Sequence, residues 1–304
     1  MPFWTFVSTP SEIRFKYREK TPAVFRIHYK GTIRRLLGTD REGVLYTGAW
    51  AYLKRAFDDF IRSSTNGTKG DSAAGTLHYL RRISPGIAAL FGEGSTAPHI
   101  ELSYMLVPAK EAAGTWYKTL EGYIRPFGEL PPLNGNFSLV RRPPLAAPAP
   151  GEWTFIDHPS ELKVGKLPAV YRVHLRGRKL CRWLRDDPLC ILEIGKGTNP
   201  RDRLNRLIKS AIDGRPRHTE GQRLHQFMET SPGFRALFKE GIPGCLYFSY
   251  RSVAEEDLIP EENLETDHYA SSYGELPPLN GDVTGERKRI MKMMRELGPV
   301  KKRN

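Results

Sequence analysis

Residues 190 to 207 read CILEIGKGTNPRDRLNRL: an apolar run closed by Gly195, then Lys196, a Gly-Thr-Asn-Pro turn, and Arg203 opening a stretch of helical apolar spacing. A lysine and an arginine at the two ends of one strand-to-helix turn could hold an anion, the guanidinium as a planar fork and the ammonium as a point charge. The competing reading is a solvated turn. Chemistry on a bound phosphodiester needs more: an activated water, positive charge where charge develops on the phosphate oxygens, and a carboxylate that can hold Mg2+ or Mn2+.

The elements that must position them are legible from periodicity. Ala169, Tyr171, Val173 and Leu175 alternate with Val170, Arg172 and His174 as a strand does. A turn around RGRK leads to a second apolar run ending at Gly195. Leu204, Leu207, Ile208 and Ala211 then form a helical stripe, with Pro200 near the helix start, where a missing N–H costs little. Further helices are predicted over GQRLHQFMET, briefly over GFRALFKE, and over IPEENLETDHYASSY, with a strand at CLYFSYRSV. The order β-β-α-α-β-α predicts an α+β fold, a small mainly antiparallel sheet flanked by helices.

The chain says nearly the same thing twice. GELPPLNG occurs at 128–135 and at 274–281, WTFVSTPSEI at 4–13 answers WTFIDHPSEL at 153–162, and SPGIAALF at 84–91 answers SPGFRALF at 231–238. The offset stays between 146 and 149 residues, far longer than a solenoid unit, so a whole domain is duplicated. The implied organisation is an N-terminal domain over 1–140, a stiff Pro/Ala-rich linker over 141–152, a C-terminal domain over 153–284, and a basic amphipathic helix and tail over 285–304.

Composition narrows the function classes. With 39% hydrophobic and 27% charged residues the chain has a globular profile; it has no membrane-length apolar run and no basic-then-apolar leader, so a cytoplasmic protein without a membrane partner is expected. Cys181, Cys190 and Cys245 form no C-x-x-C pair and suggest neither a disulfide framework nor a zinc-thiolate site. The net charge of +13 favours a polyanionic partner, nucleic acid first. The subunit number stays open, and a monomer carrying an internal pseudo-dimer is compatible.

These residues resemble the GIY-YIG nuclease family. AVY at 169–171 stands for its first strand motif and EIG at 193–195 for its second, with Lys196 and Arg203 at the family's cation positions, RHTEG at 217–221 bringing His218, and PPLNG putting Asn280 on the family's asparagine. The N-terminal matches are AVF at 23–25, YTG at 46–48 with Tyr46, Glu121 and Asn134. There, Phe25 replaces the first tyrosine and Ala56 holds the arginine position, with Arg55 one residue away; in the C-terminal half Glu193 replaces the second tyrosine. The resemblance implies a metal-dependent DNA endonuclease whose C-terminal copy is catalytic. In it Glu265 or Asp267 holds Mg2+ or Mn2+, with Glu193 a further metal candidate. Arg203 and Lys196 grip the phosphate, and Tyr171, helped by His218, orients or deprotonates the attacking water. The alternative is a non-catalytic nucleic-acid-binding protein built from two decayed nuclease domains, and a protein-interaction module is a third class.

Overall fold

The computed structural model describes residues 4–16, 19–67, 72–134, 152–162 and 167–281. The linker sequence before Glu152 and the basic segment at 285–304 lie outside the described residues. The first half runs β1 (Thr5–Val7), β2 (Ala23–Tyr29), β3 (Ile33–Arg35), β4 (Gly38–Asp40), β5 (Val44–Trp50), α1 (Leu53–Asn66), α2 (Ser72–Ile83), α3 (Pro85–Phe91), β6 (Ile100–Leu106) and α4 (Ala112–Phe127). The second repeats it as β7 (Thr154–Ile156), β8 (Ala169–Leu175), β9 (Leu180–Cys181), β10 (Asp186–Asp187), β11 (Ile191–Gly197), α5 (Pro200–Asp213), α6 (Thr219–Thr230), α7 (Pro232–Arg235), α8 (Ile242–Cys245), β12 (Leu246–Ser252) and α9 (Leu258–Tyr273). Each half has a four-stranded antiparallel sheet, ordered β1-β6-β2-β5 and β11-β8-β12-β7, plus a two-stranded hairpin. The α+β class is as expected. The three-residue edge strands β1 and β7 are additions, too short to leave a periodic signal.

The two sheets share one register. Phe25 lies opposite Gly48 and Tyr171 opposite Gly195. A Cβ on Gly195 would sit 2.5 Å from the Tyr171 hydroxyl, so only glycine lets that ring cross the neighbouring strand. Strand alternation sends Tyr171, Val173 and Leu175 into a core with Leu204, Leu207 and Ala211 of α5. Val170 and Ile194 pack on the opposite face with Tyr269 of α9.

The halves are joined by their last helices. Ala112, Trp116, Leu120 and Ile124 of α4 share a core with Leu224 and Phe227 of α6 and Phe234 of α7, while Ala270 of α9 joins the core of α2 and α3. Each contact recurs with the halves exchanged: Ser84 Oγ donates to the Ser271 carbonyl at 2.7 Å, and Ser231 Oγ to the Arg125 carbonyl at 2.9 Å.

Between them lies a fully buried charge quartet. Arg35 pairs with Glu129 at 3.0 Å and with Glu275; Arg182 pairs with Glu275 at 3.1 Å and with Glu129. The carboxylates also accept from the Leu36 and Trp183 backbone N–H groups, both at 2.8 Å, so neither acid is left half-satisfied. This accounts for much of the repeated GELPPLNG. Its glutamate builds the quartet, its second leucine is buried and donates its N–H to Leu45 or Leu192, and its asparagine clips the strand that follows the hairpin.

Candidate functional site

The functional cluster forms on the α5 side of the second sheet. Asn199 caps α5 by accepting from the Asp202 N–H at 3.1 Å, and Pro200 opens it, which sets Arg203 in the first turn beside β8. Arg203 Nε donates to the Tyr171 hydroxyl at 2.6 Å, and that hydroxyl donates to Glu193 Oε1 at 3.2 Å. His218, at the start of α6, brings Nδ1 to 3.0 Å from Glu220 Oε2, and Glu220 lies 3.9 Å from Arg203 Nη2. One donor atom each from Glu193, His218 and Glu220 fall within 4.8 Å of one another. Gly221 lets α6 approach this closely, since a Cβ there would lie 2.4 Å from the Leu207 carbonyl oxygen.

Glu193 is 1% exposed and His218 6%, yet Glu193 Oε2 and His218 Nε2 have no hydrogen-bond partner. Buried polar atoms are ordinarily paired, because an unmade bond leaves the full desolvation cost standing. Burial pushes the Glu193 carboxyl well above the usual range and the nearby Glu220 charge adds to it, against the Arg203 cation. Glu220 goes the other way: burial opposes ionisation, but the His218 ring and Arg223 bring it down to about 2. Two carboxyls with divergent proton affinities thus share one site.

Tyr171 departs from its expected role. Burial raises its pKa well above 10 and Glu193 adds to the rise, with Arg203 opposing, so the phenol stays neutral and does not take a proton from water. It locks Arg203 to Glu193 instead. Lys196 is not part of this group. Strand alternation sends it to the opposite face of β11 from Glu193, where it pairs with Glu262 of α9. The two cations of the strand-to-helix turn therefore do not meet.

Glu265 and Asp267, the expected metal carboxylates, are also elsewhere. Both oxygens of Glu265 are taken, one by Arg172 and one by Arg251 at 3.2 Å, and Arg172 in turn stacks 3.7 Å from the Trp153 ring centroid. Asp267 reaches across to the first half and accepts from the Tyr79 hydroxyl at 2.6 Å. Neither acid fits a cation near Tyr171, because each is already engaged by its own partner. Asn280 holds the Ile194 backbone at both ends, accepting from its N–H at 2.8 Å and donating to its carbonyl at 2.7 Å. It keeps β11 in place and does not enter the cluster. Glu220 and Arg223 were missed by sequence reasoning, although their i, i+3 spacing beside His218 was readable.

The first half supplies an internal control. Tyr46 occupies the Glu193 position in register, Phe25 that of Tyr171, Ala56 that of Arg203 at the fourth residue of equal-length helices, and Ala73 and Thr76 those of Glu220 and Arg223. Phe25 and Tyr46 form a ring contact with centroids 6.0 Å apart. Arg55 points away, exposed and paired with Asp59 at 3.3 Å. Asn134 clips Thr47 as Asn280 clips Ile194, and Glu121 lines a cleft with Arg223 and Gln226 of α6. The same scaffold therefore folds with a largely apolar interior at these positions, so the charges of the second half are not needed by the fold.

Comparison with family models, with curated proteins and with solved structures finds no match for this chain. Among the described residues no helix is long and apolar enough to cross a membrane.

Proposed function

We propose that the C-terminal half is a GIY-YIG-like, metal-dependent phosphodiester hydrolase acting on nucleic acid, DNA in the first place, with the N-terminal half as its degenerate structural and binding partner. The observation that carries this reading is the internal control: one half brings Tyr171, Glu193, Arg203 and Glu220 together where the other has Phe25, Tyr46, Ala56 and Ala73. Burying unpartnered charge costs stability, and such cost persists where the groups have work to do.

Arg203 is the member that reaches solvent, with 35% of its side chain exposed, and its Nε bond to Tyr171 leaves Nη1 of the guanidinium fork for a phosphate, with Nη2 3.9 Å from Glu220. Tyr171 orients that fork. Arg203 would offset charge on the phosphate oxygens. A bound divalent cation would supply a water of lowered pKa.

A second reading, a non-catalytic nucleic-acid-binding protein, is favoured by a surface on the other face of the same sheet. Phe155, 53% exposed, lies 6.3 Å from the Tyr247 ring, which stacks on His174 at 4.5 Å and 15°, with Arg176 5.4 Å over Tyr247. Aromatic faces with an arginine beside them suit stacked bases. The two readings part in one experiment: the full chain with labelled duplex, branched and single-stranded DNA, with Mg2+ or Mn2+, compared with Arg203→Ala. Cleavage that disappears in R203A while binding persists supports the hydrolase; binding without cutting supports the second reading.

A further inference from the structure

We propose that Glu193, His218 and Glu220 form a divalent transition-metal site, in place of a carboxylate on the last helix. This deepens the hydrolase reading by naming its metal ligands and metal class.

Three independent features converge. The donor set is chemically apt: one imidazole and two carboxylates with donor atoms within 4.8 Å of one another, against about 3 Å for neighbouring ligands of one ion held at about 2.1 Å, so a small inward movement closes the site. Two atoms facing it lack other employment, since Glu193 Oε2 and His218 Nε2 are buried and unbonded. The donor set is also confined to one half, with Tyr46 and Ala73 at the Glu193 and Glu220 positions of the other.

Two consequences follow. A set containing an imidazole favours Mn2+, Zn2+ or Co2+ over Mg2+, which prefers oxygen ligands and keeps most of its waters. Three protein ligands also leave coordination positions open for water and a phosphate oxygen, the pattern of a catalytic rather than a structural ion.

The test reads binding, not cleavage, so this proposal and the hydrolase reading fail separately. The full chain, stripped with chelator, is titrated with MnCl2 and with MgCl2 by calorimetry, and bound Mn2+ is counted by electron paramagnetic resonance. One Mn2+ should bind, more tightly than Mg2+. His218→Gln and Glu220→Gln should each weaken it by more than the roughly 10- to 100-fold that losing a supporting contact costs, whereas Glu121→Gln and Arg203→Ala should leave a site. No saturable Mn2+ binding by the wild-type chain would overturn the proposal, whatever becomes of the variants. So would binding that survives in both folded ligand variants.

Discussion

Glu193→Met should make the protein more stable. The native carboxyl is fully buried, one oxygen accepts from Tyr171 at 3.2 Å and the other has no partner. An unsatisfied buried acceptor costs about 1–3 kcal/mol, and methionine fills a similar volume without one. Against this the Tyr171 hydroxyl loses its acceptor, worth about 1 kcal/mol, although it still accepts from Arg203. The balance is a gain of up to about 2 kcal/mol, read as a higher urea midpoint at unchanged slope. The gap should widen with pH. The Glu193 carboxyl has its pKa raised on folding, so its contribution is most favourable below the ordinary value of 4.5 and is lost as pH rises through the folded value. Methionine has no such loss, so the advantage of E193M should be larger at pH 8 than at pH 5. A variant less stable than wild type, or a pH-independent gap, would refute the reasoning that this carboxyl is kept for function at the expense of the fold.

Other expectations concern the frame around the site. Glu275→Gln should cost about 3–5 kcal/mol by urea unfolding, since it leaves Arg35 and Arg182 buried with one carboxylate between them, and Glu129→Gln should cost a similar amount because the quartet is symmetric. Burial brings His174 down to about 4, so its folded form resists protonation. Its stabilising contribution is complete above 6.5 and falls away by about 3 kcal/mol as pH drops to about 4, and His174→Gln should flatten that part of the acid-unfolding profile. Asn280→Ala should destabilise by about 1–3 kcal/mol through loss of both bonds to Ile194, and Asn134→Ala likewise at Thr47. Phe155→Ala should leave urea stability nearly unchanged while weakening single-stranded DNA binding by about 1–3 kcal/mol in a fluorescence titration.

Much of the frame was legible because duplication writes it twice. The principal strands, the helices over 219–230 and 258–273, and the start of α5 at Pro200 all follow from periodicity and capping. The site was legible only in part. Tyr171, Glu193, Arg203 and His218 meet, but Lys196 does not, because a strand turns successive side chains to opposite faces and Glu193 and Lys196 differ by an odd number. The fate of Glu265 depends on Arg172 and Arg251, which come from two other strands, and that of Asp267 on Tyr79 from the other half of the chain; nothing in local spacing announces such partners. Glu220 and Arg223 could have been found by reading the two halves against each other, where they replace Ala73 and Thr76. The glutamate of GELPPLNG is part of a buried ion-pair network, a role visible only when the halves are packed together.

The most direct test of the central claim, that the second half carries a working hydrolytic site, is cleavage of end-labelled single-stranded and branched DNA by the full chain in Mn2+. The account predicts metal-dependent cutting that Arg203→Ala and Glu193→Met both abolish in folded protein that still binds the DNA. No cutting in any divalent cation, or cutting that both variants retain, would contradict it.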